Sequence, residues 1–143
     1  MSSYTRVATK LKSQSALVKA LVACGFKREH IEVLEKKEAL RGYRGDSRKQ
    51  MASIRIKGSG WGHGQNRVGS SSNDLGFERL EDGTYAFHVS DFDKGNYGKK
   101  WQTKLLQNYG REVIREVCED QSFYIESETE VEGELFIELS TQF

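Results

Sequence analysis

Between Lys99 and Asp120 apolar residues return every four positions, and no other feature of the chain restricts its fold as much. Trp101, Leu105, Tyr109, Val113 and Val117 form the recurrence, with Leu106, Ile114 and Cys118 beside them. Side chains so spaced share one face of an α-helix, and a pattern of that period cannot settle as a strand. A helix with such a stripe must bury it against another layer. The question is therefore what the remaining sequence supplies as that layer.

It supplies a second, shorter helix and several strands. Leu17, Val18, Leu21 and Val22 fall on one helical face. Ser13 or Ser15 can cap its start, because a serine oxygen accepts from the free N–H groups of the first turn. Gly25 marks its end, where a left-handed residue is favoured, and Leu11 and Phe26 flank it. Ile31 to Leu34 reads as a short strand, Lys36 to Glu38 as a bend, and Leu40 to Tyr43 as the next strand. Met51 to Lys57 alternates with period two, placing Ile54 and Ile56 inward and Arg55 and Lys57 outward. Leu75 to Leu80 and Thr84 to Val89 predict a hairpin turning at Glu81-Asp82-Gly83. Tyr85, Phe87 and Val89 lie on its core face, with His88 on the other. Ser90 to Lys100 reads as a polar loop. Phe123 to Glu128 and Glu134 to Ser140 predict a last hairpin, turning near Glu132-Gly133, with Leu135, Ile137 and Leu139 on one face. The expectation is an α+β fold in helix–strands–helix–hairpin order: an antiparallel sheet with two main helices packed on one face.

With 143 residues the chain has the length of one domain and can bury a core without disulfides. Residues 1–143 are read as a single domain interrupted by one irregular Gly/Ser-rich loop at about 58–73. Cys24 and Cys118 match no zinc or redox spacing and read as small buried hydrophobes. Met1 to Lys12 lacks the apolar region of a signal peptide, and no apolar run approaches the ~20 residues of a membrane helix. A cytoplasmic or plastid-stromal location, and no membrane partner, is the expectation. The net charge of +1 hides a partition. Residues 1–72 hold 15 Lys/Arg and 5 Asp/Glu, and residues 73–143 hold 7 and 16. Such asymmetry fits a charged partner for one half, or two halves that neutralise each other.

Catalytic and metal patterns are missing from the sequence. His30, His63 and His88 form no ligand-spaced pair. Ser70 to Ser72 follow Gly69 without a nucleophile elbow. Asp91 and Asp93 read as turn chemistry. The Gly58–Asn73 segment matches neither a P-loop nor a dinucleotide fingerprint. It reads as a mobile loop carrying Trp61 as a docking residue, or as plain disorder. Arg41, Arg44, Arg48, Lys49, Arg55 and Lys57, with Tyr43 and Trp61, could neutralise phosphates and stack on bases, or form a solvated basic face. The candidate interaction residues are Arg41, Tyr43, Arg44, Arg48, Trp61, His63, Arg67, Asn73 and Asp74. No cofactor and no metal is expected.

Arg41-Gly42-Tyr43-Arg44-Gly45, Gly69 to Phe77, Asp82-Gly83-Thr84-Tyr85, Tyr97 to Trp101 and Leu106-Gln107-Asn108-Tyr109, taken in order, resemble a family of unknown function. That family includes the hypothetical chloroplast reading frame thirty-five protein of algal plastids and cyanobacteria, with bacterial relatives. The resemblance spans nearly the whole chain, except the Gly58–Gln65 piece. It carries no assigned catalytic residues. It implies an accessory role beside an AAA+ ATPase of the MoxR type, hence a non-enzymatic adaptor making protein–protein contacts. The alternative from the residues themselves is a nucleic-acid-binding domain using the basic N-terminal half.

Overall fold

The structure, a computed structural model, describes residues 3–121, 123–131 and 134–141, with side chains described from 3 to 119. A strand, β1 (Tyr4–Ala8), opens the chain ahead of α1 (Gln14–Ala23). Then follow β2 (Glu32–Arg41), β3 (Ser47–Ile56), β4 (Leu75–Arg79) and β5 (Tyr85–Ser90). The short α2 (Lys94–Tyr97) precedes α3 (Lys99–Gln121), and β6 (Phe123–Val131) and β7 (Glu134–Thr141) close the chain. Five strands pair antiparallel in the order β1-β5-β4-β3-β2, and β6 and β7 form a separate two-stranded sheet. The α+β architecture expected from the sequence is therefore present. The turn expected at Glu132-Gly133 and the facing of Leu135, Ile137 and Leu139 lie outside the described residues.

Both helices cover one face of the five-stranded sheet. Leu17 and Leu21 of α1 and Leu105 of α3 pack on Ile54, Ile56, Leu75, Phe77, Phe87 and Val89, all nearly or fully buried. Each such side chain contributes about 1.5–3 kcal/mol by leaving water. An aromatic chain continues this core: Phe77 and Phe87 stack at 4.8 Å, Trp101 lies 5.6 Å from Phe87, and Tyr97 meets Trp101 edge-on at 5.1 Å. Ser13 caps α1 by accepting from the Ala16 N–H at 3.2 Å. The helix ends in a Schellman turn, where the Phe26 N–H reaches the Leu21 carbonyl and the Gly25 N–H that of Val22, with Gly25 at φ +115°. Tyr109 ties α3 to this start, its hydroxyl accepting from the N–H groups of Lys12 and Ser13 at 2.9 Å each. Both cysteines are free, Cys118 buried and Cys24 half-buried. Burial pushes the Cys24 thiol up, away from the reactive thiolate.

Several expectations are corrected. β1 was not legible, and it forms one edge of the sheet. The bend foreseen at Lys36–Glu38 is a bulge within one continuous β2. From Val33↔Ile54 to Glu38↔Ala52, β2 advances five positions while β3 advances two. Val22, Leu106 and Val117, assigned to buried helical stripes, are 42%, 48% and 43% exposed. Arg55 and His88, assigned outward, are 4% and 3% exposed.

The last two corrections share a cause. β2 is the edge strand opposite β1, yet its final residue Arg41 bonds through its main chain to Asp74, just before the central β4. The Asp74 N–H donates to the Arg41 carbonyl at 3.0 Å. From the other edge, the Tyr4 hydroxyl donates to the Asp74 carbonyl at 2.6 Å. The bulged β2–β3 hairpin thus curls over the second face of the sheet. Leu40, fully buried, lies on Gly76, where an added Cβ would stand 2.8 Å from its Cδ2. Polar side chains of that face end up inside. Arg55 donates to Glu32 at 2.7 and 3.3 Å. His88 Nε2 pairs with Glu78 at 2.9 Å, and Lys37 reaches the same carboxylate at 3.1 Å. Among the described residues no helix is long and apolar enough to cross a membrane.

Candidate functional site

The irregular segment after β3 is ordered, and Asp74 is what orders it. One carboxylate oxygen accepts from the Arg41 N–H at 2.8 Å. The other accepts from the Gly58 N–H at 2.8 Å and from the Trp61 indole N–H at 2.9 Å. Three donors from three segments thus converge on one buried carboxylate, which is how a buried charge is tolerated. Burial pushes the Asp74 carboxyl above the usual range, and these hydrogen bonds with nearby Arg55 pull the other way without cancelling it.

Asn73, one residue earlier, extends the clamp. Its Oδ1 accepts from the Tyr43 N–H and its Nδ2 donates to Ser90 Oγ, both at 2.8 Å, while its own N–H donates to Asp93 at 2.9 Å. Ser90 in turn donates to Asp93 at 2.8 Å and accepts from the Asp93 N–H at 3.1 Å. Burial also raises the Asp93 carboxyl. The Tyr4 hydroxyl is pushed far up, first by burial and then by Asp74 and Asp93 beside it, so it stays a protonated donor. These groups spend their hydrogen-bonding capacity on one another. The grooves along α1, along α2–α3 and between β1 and α3 are lined by other residues. The cluster joins loop to sheet as a clamp.

The clamp presses the 58–62 segment onto the β2–β3 turn. Gly60 sits so close that an added Cβ would stand 2.1 Å from the Gly42 carbonyl oxygen and 2.8 Å from the Gly45 nitrogen. Only glycine permits this approach. Ser59 completes the contact, its hydroxyl donating to the Ser72 carbonyl at 2.8 Å.

The outer surface of this corner is cationic and aromatic. The Arg41 guanidinium lies 3.6 Å over the Trp61 ring, with the Lys57 amine at 4.5 Å, while the buried Arg55 guanidinium approaches the ring from inside at 4.6 Å. Arg44 stands 5.2 Å over Tyr43, and Arg48 5.3 Å over Tyr4. Each pair contributes about 0.5–2 kcal/mol, depending on how dry it is. Arg44, Lys49, His63 and Arg67 are exposed, while Arg41, Tyr43, Arg48, Lys57 and Trp61 are half-buried.

The candidate residues therefore separate into three groups. Arg41, Tyr43, Arg44, Arg48 and Trp61 come together on this corner. Asn73 and Asp74, foreseen as contact residues, are 1% and 0% exposed and act from inside. His63 and Arg67 lie on the outer part of the loop, where Arg67 is held through its N–H to the Lys57 carbonyl at 2.8 Å. Trp61 is not carried on a mobile loop: its indole is pinned by Asp74 and its ring is covered by Arg41. Sequence reasoning missed Tyr4, Ser90 and Asp93 as members of the clamp. Ser90-x-x-Asp93 had the spacing of a helix-start box, which was the available signal; the Asp93 N–H does donate to Ser90 Oγ, but α2 is capped at Asp93 and starts one residue later.

Among the described residues no group of three or more His, Cys, Asp or Glu is placed to hold a metal ion. No curated protein and no solved structure matches the chain. A family model described as "Protein of unknown function (DUF1257)" matches residues 27–136, which takes in every strand from β2 to β6, the segment between β3 and β4 and all of α3, and the chain belongs to that family.

Proposed function

We propose that this protein is a non-enzymatic accessory module that docks an acidic protein surface on the cationic corner around the β2–β3 turn. The observation that carries the reading is the way this corner is held. Arg41, Tyr43 and Trp61 are fixed through main-chain or indole hydrogen bonds to Asn73 and Asp74. A surface preorganised in this way loses little entropy on binding, and its positive charge steers an acidic partner. The resemblance noted above adds the class of partner, an AAA+ ATPase of the MoxR type, and the proposed compartment is the cytoplasm or plastid stroma.

A nucleic-acid partner is the second reading, and one observation favours it: exposed Arg44 stands 5.2 Å over the Tyr43 ring, which suits a phosphate beside a base. Against it, Arg41 already covers the Trp61 ring, which leaves one fewer stacking surface. Capture from native extract by the full-length chain, with and without nuclease, separates the two. The docking reading expects an AAA+ ATPase that is retained after nuclease and lost with Arg44→Glu/Lys49→Glu. Loss of all bound material on nuclease treatment would transfer the assignment to nucleic acid.

A further inference from the structure

The opposite side of the molecule carries a second surface with its own logic. β1 is an edge strand. The Asp91 N–H bonds to the Ser3 carbonyl, and hydrogen-bonded pairs alternate along an antiparallel ladder. The main-chain groups of Arg6 and Ala8 therefore point away from β5, and nothing among the described residues bonds to them. Beside this edge runs a groove of about 480 Å³, lined by Val7, Leu11, Phe77, Phe87, Leu105 and Leu106. Leu106 begins an apolar stripe on α3. Val113 and Val117 follow at seven and eleven positions, on the same helical face, and Leu106 and Val117 are 48% and 43% exposed.

Charge is graded along the same direction. Residues 2–12 hold Arg6, Lys10 and Lys12 with no Asp or Glu, and α3 starts with Lys99, Lys100 and Lys104. The far half of α3 carries Glu112, Glu116, Glu119 and Asp120 against Arg111 and Arg115, and residues 122–143 hold six Glu with no Lys or Arg. β7 is itself an edge strand, with apolar Leu135, Ile137 and Leu139 at alternate positions. A two-stranded sheet is marginal on its own. In its own chain the β6–β7 hairpin leaves α3 at Gln121, about 23 Å beyond Leu106 along the helix axis.

From this we infer that two copies of the chain associate with their α3 helices antiparallel, each copy's β7 adding to the other's β1 edge beside the apolar groove. The antiparallel arrangement sets the basic start of each α3, with its β1 groove, against the acidic end and hairpin of the other. It also places Leu106 of one copy near Val117 of its partner. Two edges that would otherwise invite uncontrolled pairing close on each other under a two-fold axis.

Sedimentation equilibrium of the full-length chain tests this. A dimer is expected whose dissociation constant rises at least tenfold in high salt, because its charges are partly exposed. Leu106→Asp, at a position half exposed in one copy, should give a folded monomer. Arg6→Glu/Lys10→Glu should weaken pairing at least tenfold, and mixing it with Glu134→Lys/Glu138→Lys should restore a heterodimer. A folded monomer across the concentration range would overturn the inference. So would a dimer indifferent to Leu106→Asp, or charge-reversed variants that fail to recover on mixing.

Discussion

Replacing Asp74 by alanine removes the group on which three segments converge. The Arg41, Gly58 and Trp61 N–H groups would each lose a charged acceptor at 2.8–2.9 Å. A buried donor left unsatisfied costs about 1–3 kcal/mol, so the gross loss is roughly 3–9 kcal/mol. Two effects reduce it. The variant no longer buries a carboxylate, whose desolvation is evident in its raised pKa. Water can also enter the corner as the 58–62 segment lifts from the β2–β3 turn. The net cost is expected at about 3–5 kcal/mol, large for one substitution. Urea unfolding followed by tryptophan fluorescence would measure it, and amide exchange would show accelerated exchange at Arg41, Gly58 and Tyr43. Asp74→Asn, which keeps one acceptor but turns an amide N–H toward a donor, should fall between wild type and Asp74→Ala. A cost below about 1 kcal/mol for Asp74→Ala, with exchange at those amides unchanged, would refute the idea that this carboxylate organises the loop.

Gly60→Ala forces a methyl group against the Gly42 and Gly45 backbone and should destabilise by about 1–3 kcal/mol, whereas alanine at exposed Gly95, with open space around it, should be close to neutral; equal urea midpoints for the two would contradict the close-packing argument. Trp61→Phe keeps a ring beneath Arg41 but loses the indole donor, and a loss of about 1–3 kcal/mol is expected, with faster exchange at Gly58. Burial alone would raise the Glu78 carboxyl, but hydrogen bonds from His88 and Lys37 hold it below its ordinary 4.5. A depressed folded value gives stability that is present above the unfolded value and lost as pH falls through the folded one. Glu78→Gln should therefore flatten the acid side of the stability profile below about 4.5, and an unchanged slope there would dismiss the His88–Glu78–Lys37 link.

The layers were legible in the sequence where periodicity was strong. The four-residue recurrence through Trp101, Leu105 and Tyr109, and the alternation of Tyr85, Phe87 and Val89, each report directly on a buried face. What local pattern could not report was the curl of the β2–β3 hairpin. Arg55 and His88 occupy positions that alternation assigns to solvent, and they are buried because the β2–β3 hairpin curls over that face, with Glu32 pairing Arg55 across the β2–β3 ladder and Glu78 of neighbouring β4 pairing His88. β1 escaped notice because Tyr4-Thr5-Arg6-Val7-Ala8 has little apolar contrast, as suits a strand at an edge. Likewise Asn73 and Asp74 were named as contact residues, but a sequence does not distinguish a polar residue that meets a partner from one that satisfies its own backbone. The glycines between Gly58 and Gly64 read as a mobile loop or as disorder. Gly58 and Gly60 instead mark close approach of backbone to backbone, a distinction visible only once the β2–β3 turn is in place.

The central claim is that a clamped, cationic corner recognises an acidic protein. Its most direct test is the ionic-strength dependence of affinity for the AAA+ ATPase captured from nuclease-treated extract, compared between wild type and Arg44→Glu/Lys49→Glu. The account predicts nuclease-resistant binding that weakens steadily with salt and falls at least tenfold on double charge reversal. Equal affinity of the two proteins at every salt concentration would contradict it.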